Sequence, residues 1–147
     1  MNKMSKKTEY ALMALNLFHS LEQQGSGARP QSPKPLHPAI SAKDIAEKIH
    51  APFEITARVL QVLASKGILK AEYGTQGGYH LVKSLDEVSV HDLIETLESS
   101  TELTKCIGSE SECDLAKKCT IVAPITTLNK KIQNFYKSIS ISEVLNV

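Results

Sequence analysis

The chain has 147 residues, 41% hydrophobic and 22% charged, a composition that excludes a disordered or fibrous protein and suits one buried core with an appendage. No run of about 18 apolar residues occurs and Met1 to Lys7 lacks an export leader's apolar stretch, so neither a membrane span nor secretion is expected, and the chain reads as cytoplasmic. The net charge of +1 conceals an asymmetry: residues 1–85 carry 11 Lys+Arg against 6 Asp+Glu, and residues 86–147 carry 6 against 10, so the half suited to a polyanionic partner comes first.

From Ser5 to about Leu21, Ala11, Leu12, Leu15, Phe18 and Leu21 recur at helical spacing with no Gly or Pro between them, which predicts an amphipathic helix. Residues 22–40 then form a loop, because Gly25, Gly27, Pro30, Pro33, Pro35 and Pro38 cannot sustain a helix or a central strand. Ser41 is placed to cap a short second helix, with Asp44 three residues on and Ile45, Ala46 and Ile49 as its apolar face. His50, Ala51 and Pro52 make a turn into a third helix, Phe53 to Lys66, with Ile55, Val59, Val62 and Leu63 as its expected buried stripe and Gly67 as its stop. Ile68 to Tyr73 and Gly78 to Val82 read as two strands around the turn Gly74-Thr75-Gln76-Gly77.

Val88 to Leu97 is a further helix, marked by Val90, Leu93, Ile94 and Leu97, and the polar segment 99–120 after it has the composition of a loop built for a site. Residues 122–139 form a long amphipathic helix with Ile125, Leu128, Ile132, Phe135, Tyr136 and Ile139 on one side. Little sequence remains to cover that side, so a second copy of the chain is its expected partner. The predicted fold is mainly α: a winged helix-turn-helix in residues 1–85, with a two-stranded β wing, then residues 86–147 carrying the cysteine segment and a long C-terminal dimerisation helix.

A helix-turn-helix reads DNA by laying its second helix in the major groove while flanking donors and cations hold phosphates. Here the outward residues of that helix are read as Glu54, Thr56, Ala57, Arg58 and Gln61, with Arg58 the strongest candidate for a base or phosphate contact. In the wing, Thr75 and Gln76 form the tip, while Gly77 and Gly78 permit a close backbone approach to phosphate or the minor groove. The expected partner is therefore a double-stranded DNA operator, bound by a homodimer. An enzyme is disfavoured, since no Ser-His-Asp set, no paired catalytic carboxylates and no phosphate-cradling Gly-rich loop can be assembled.

Cys106, Cys113 and Cys119 are the three cysteines, with six and five residues between them. In a reducing compartment such thiols serve as metal ligands or redox groups rather than disulfides. The spacing does not choose between these, for there is no CxxC pair and tetrahedral zinc needs a fourth Cys or His.

Three stretches, Ile45-Ala46-Glu47-Lys48-Ile49, Leu63-Ala64-Ser65-Lys66-Gly67-Ile68-Leu69 and Gly74-Thr75-Gln76-Gly77-Gly78-Tyr79-His80-Leu81, resemble the bacterial IscR/NsrR family of regulators. So do the start Thr8-Glu9-Tyr10-Ala11-Leu12 and the position of the three cysteines after the helix that follows the wing. The resemblance spans nearly the whole chain. It departs at Tyr73, where members often carry an arginine, and in the long loop of residues 22–40. It implies a transcription regulator, with repression the expected action, whose operator binding is switched by a 2Fe-2S or 4Fe-4S cluster on Cys106, Cys113 and Cys119 in response to iron, nitric oxide or redox state. The histidine that completes the cluster in the IscR branch is replaced by Val122. In the NsrR branch an N-terminal acidic residue of the other subunit does so, and Glu9 is its match here. The alternative is a cluster-free regulator of the same fold that senses through thiol oxidation or a small ligand.

Overall fold

The computed structural model describes residues 4–24, 38–98, 102–104, 115 and 117–146. Helix α1, Lys6–Gln24, extends a little beyond the span read from periodicity and buries Ala11, Ala14, Leu15 and Phe18. Helix α2, Ala42–Lys48, begins at the expected cap: Ser41 Oγ accepts the Asp44 N–H at 3.1 Å and donates to the Asp44 carboxylate at 2.7 Å. Residues 25–37 of the expected loop lie outside the described residues.

Helix α3, Phe53–Ser65, ends as its sequence demands. Gly67 adopts φ +73°, its N–H bonds to the Ala64 carbonyl, and the Ile68 N–H reaches back to the Leu63 carbonyl, both at 3.0 Å. This pair of bonds satisfies carbonyls the helix would otherwise leave open, at a backbone angle that a side chain resists. The buried stripe differs from the one expected. Thr56, Val59, Leu60 and Leu63 face the core, whereas Ile55 is exposed and Val62 half-buried. The face 56, 59, 60, 63 obeys helical spacing as well as the expected one does, and the packing of α1 and β1 against α3 selects it. A threonine is tolerated there because its hydroxyl donates to the Pro52 carbonyl at 2.9 Å.

Strands β1, Leu69–Glu72, and β2, Gly78–Leu81, pair antiparallel with Leu69 opposite Leu81 and Glu72 opposite Gly78. A 3-10 turn, Leu85–Glu87, leads into helix α4, Val90–Glu98. Ser89 caps α4 reciprocally with Asp92: the Asp92 N–H bonds to Ser89 Oγ, and the Ser89 N–H to the Asp92 carboxylate. Helix α5, Val122–Ser138, packs on α4 but leaves much of its apolar surface open. Ile121, Leu128 and Phe135, seven residues apart, are 58%, 47% and 61% exposed, and Ile125 and Ile132 between them are half-buried.

A short helix α6, Ile141–Leu145, completes the chain and was not anticipated from periodicity. Ile141 is fully buried. Its N–H bonds to the Val88 carbonyl at 2.8 Å, and the Val90 N–H bonds to the Ile139 carbonyl at 2.9 Å, so the C-terminal segment pairs with the lead into α4. One hydrophobic core therefore joins Leu15 and Phe18 of α1 and Leu60 and Leu63 of α3 to Leu85, Val88, Leu93, Leu97 and Ile141. Among the described residues, no helix is long and apolar enough to cross a membrane.

Candidate nucleic-acid interface and cysteine segment

The turn between α2 and α3 is tight because His50 takes a left-handed backbone, φ +52°. Its N–H bonds to Glu47 O at 3.2 Å, while the Ala51 N–H reaches Ala46 O at 3.0 Å. Few residues other than Gly enter that region without cost, and His is among the more tolerant. The turn sets α3 across α2 with Glu54, Arg58 and Gln61 exposed and Ala57 half-buried, four of the five side chains read as DNA-facing. Thr56 is the exception. It is fully buried with its hydroxyl committed to Pro52, so its expected place on the outer face is corrected.

Two concave surfaces flank α3. One is lined by Lys43, Ala46, Glu47, His50, Ala51 and Phe53, at the turn itself. The other lies between the start of α1, the outer face of α3 and the end of α4, where Arg58, Gln61, Ile55 and Val62 meet Lys6, Lys7, Leu97 and Glu98. Phe53, which the sequence marks only as the start of α3, is 53% exposed there, directly after the turn proline.

The wing is held against the helix-turn-helix by backbone contacts. Ile40 and Tyr79 exchange hydrogen bonds of 2.9 and 2.8 Å, so residue 40 acts as a third, one-residue strand beside β2. Gly78 sits in this contact: a Cβ added there would lie 2.3 Å from the Ile40 carbonyl carbon and oxygen. At Gly77 the same addition would meet the Glu72 carbonyl oxygen at 2.4 Å. The two glycines are thus required inside the protein, by Ile40 and by the hairpin, a reason the sequence did not disclose. Thr75 and Gln76 are exposed at the tip as expected, and Tyr73 beside them is 97% exposed.

Of the cluster residues, Cys106 and Cys113 lie outside the described residues. Cys119 is a half-buried free thiol three residues ahead of α5. Glu9 stands in the first turn of α1, its carboxylate paired with Lys6, whose ammonium is held above its ordinary pKa chiefly by that hydrogen bond. The same turn is fastened to the root of the cysteine segment, since the hydroxyls of Ser5 and buried Thr8 both donate to Glu98, the last residue of α4. At residue 103 the chain is tied to α5, where the Leu103 N–H donates to buried Asn129 Oδ1 at 3.0 Å.

Comparison with known proteins fits this architecture. Residues 4–147 match the family model Rrf2, described as an iron-dependent transcriptional regulator. The IscR regulator of Photorhabdus laumondii is 28% identical over 144 residues, 98% of this chain and 79% of that protein. Among solved structures, CymR of B. subtilis, described as its global cysteine regulator, matches with a TM-score of 0.66 at 18% identity, covering 99% of this chain and 98% of that one. The IscR of T. potens matches with a TM-score of 0.64 at 21% identity, covering 99% and 87%. The chain belongs to the Rrf2 family and is one of its winged-helix transcriptional regulators, not an enzyme.

Proposed function

We propose that this protein binds a double-stranded DNA operator as a homodimer and represses transcription there, under control of an iron-sulfur cluster on Cys106, Cys113 and Cys119. One observation carries the DNA reading: α3 exposes Glu54, Arg58 and Gln61 while the Ile40–Tyr79 pair locks the wing beside it, so helix and wing meet a duplex as one rigid unit. Arg58 supplies a fork of donors that suits a guanine edge or a phosphate, and Thr75, Gln76 and Tyr73 project from the wing beside it. The homodimer is supported by the exposed line of Ile121, just ahead of α5, and Leu128 and Phe135 on it, which a second copy of the same helix would cover.

Three thiols within residues 106–119, one of them the half-buried free Cys119, have the soft-donor chemistry that iron-sulfur clusters require, and Glu9 is the oxygen donor offered as fourth ligand from the other subunit. Such a cluster supplies iron that is sensitive to oxygen, nitric oxide and iron supply. The chain's own residues provide a route from that segment to the DNA-facing surface. Glu98 binds the first turn of α1 at the segment's root, and Arg58 and Gln61 lie in the same groove. A second reading, direct thiol oxidation, is supported by the free thiol of Cys119.

Anaerobic purification with iron and sulfide analysis, followed by binding to the gene's own upstream DNA, separates the two. A coloured protein holding iron and sulfide, whose DNA affinity changes when the cluster is removed, is the expected result. A colourless protein whose DNA binding follows thiol oxidation would overturn the cluster reading in favour of the second.

A further inference from the structure

Three metal-ligating side chains converge on the first turn of α4, apart from the cysteine segment and from the surface assigned to DNA. His91 is buried, 5% exposed, and its Nδ1 lies 3.8 Å from Asp92 Oδ1 and 3.9 Å from Glu95 Oε2. Ligand atoms of all three lie within 4.8 Å of one another. His91 and Glu95 stand at i and i+4, the spacing that stacks two side chains on one helix face. Asp92 is oriented by the cap: its Oδ2 accepts the Ser89 N–H at 3.2 Å, while Oδ1 is the oxygen turned toward His91.

We propose that His91 Nδ1, Asp92 Oδ1 and Glu95 Oε2 form a binding site for a divalent transition-metal ion of the zinc class. Bonds of about 2.0–2.2 Å to a tetrahedral centre hold ligand atoms roughly 3.3–3.5 Å apart. The site must therefore contract by about half an ångström along the two His91 pairs and by up to about 1.4 Å between the carboxylates, and the exposed Glu95 side chain has the freedom to supply most of that movement. An imidazole with two carboxylates selects zinc-like ions over magnesium or calcium, which favour all-oxygen shells, and leaves the fourth position to water. Two charges oppose the ion, the positive end of α4 and Lys83, which acts on Asp92. The two carboxylates outnumber the one lysine. Because Val90 and Val88 bond to Ile139 and Ile141, an ion here braces the junction of α4 with the C-terminal segment.

The test uses the full-length chain carrying Cys106→Ser, Cys113→Ser and Cys119→Ser, so that thiols do not compete for the metal. Zinc affinity is read by competition with a chromophoric chelator, and ligand type from the absorbance of the cobalt-loaded protein. Expected are one ion per chain, a rise in melting temperature with zinc, and the intense visible bands of a four-coordinate cobalt site with nitrogen and oxygen ligands. Added to that chain, Glu95→Gln, at a residue whose side chain is 62% exposed, weakens zinc binding at least about tenfold. His91→Gln has the same effect. Failure of the triple-serine protein to bind one zinc per chain, or zinc affinity unchanged by Glu95→Gln, would overturn the proposal.

Discussion

Ile40 and Tyr79 exchange two backbone hydrogen bonds, 2.9 and 2.8 Å, across the gap between the entry to the helix-turn-helix and the wing. Gly78 makes this approach possible, since any Cβ there would overlap the Ile40 carbonyl. Gly78→Ala is therefore expected to cost about 2 kcal/mol and to lower the melting temperature by roughly 4–8 °C. DNA affinity should fall further than stability accounts for, because the wing loses its fixed position. Calorimetry and fluorescence anisotropy on one preparation test both, and a variant with wild-type DNA affinity would dismiss the role given to this contact.

Arg58 is exposed on α3 and makes no ion pair that its removal would leave unbalanced among the described residues. Arg58→Ala should leave the circular dichroism spectrum and melting point unchanged while weakening operator binding at least about tenfold. If Arg58 meets a phosphate, the slope of log affinity against log salt flattens by about 0.9; if it meets a base, the loss depends on sequence and the slope stays. Equal affinity of variant and wild type across a salt series would remove Arg58 from the interface.

On α5, Phe135 is 61% exposed and stands outside the buried core formed by the described residues. Phe135→Glu should convert a dimer to monomers at micromolar concentration, in sedimentation velocity, with little change in helix content. Dimers that persist in this variant and in Leu128→Glu would show that α5 is not the interface.

His50 holds φ +52° in the turn between α2 and α3, where glycine would be at ease. Replacing it with glycine should stabilise the protein by about 1 kcal/mol, raising the melting temperature by roughly 2–4 °C. A lower melting temperature would mean that the imidazole makes up for its backbone.

Glu98 accepts hydrogen bonds from Ser5 and from Thr8, which is 2% exposed. Glu98→Ala leaves a buried hydroxyl without its acceptor and should cost about 1–3 kcal/mol. Faster hydrogen exchange confined to the first turns of α1 would locate the damage; uniform exchange would argue against a local pin.

Much of this fold is written in local pattern. The Ser41 cap, the Gly67 stop, the hairpin and the long α5 each depend on residues within a few positions of one another, where spacing and backbone preference decide, and each appears where the sequence placed it. The exposure of Arg58, Gln61, Thr75 and Gln76 was legible for the same reason. What tertiary packing alone decided was which of two equally periodic faces of α3 turned inward. It buried Thr56 and exposed Ile55, because α1 and β1 approach from that side. Docking of Ile141 beside Val88, the seat of Gly78 on Ile40 and the meeting of Thr8 with Glu98 likewise join residues far apart in the chain, and no local period encodes such partners. The wing glycines, whose small size also permits a close backbone approach to DNA, are needed by the protein itself: their neighbours are backbone atoms that only folding brings within contact.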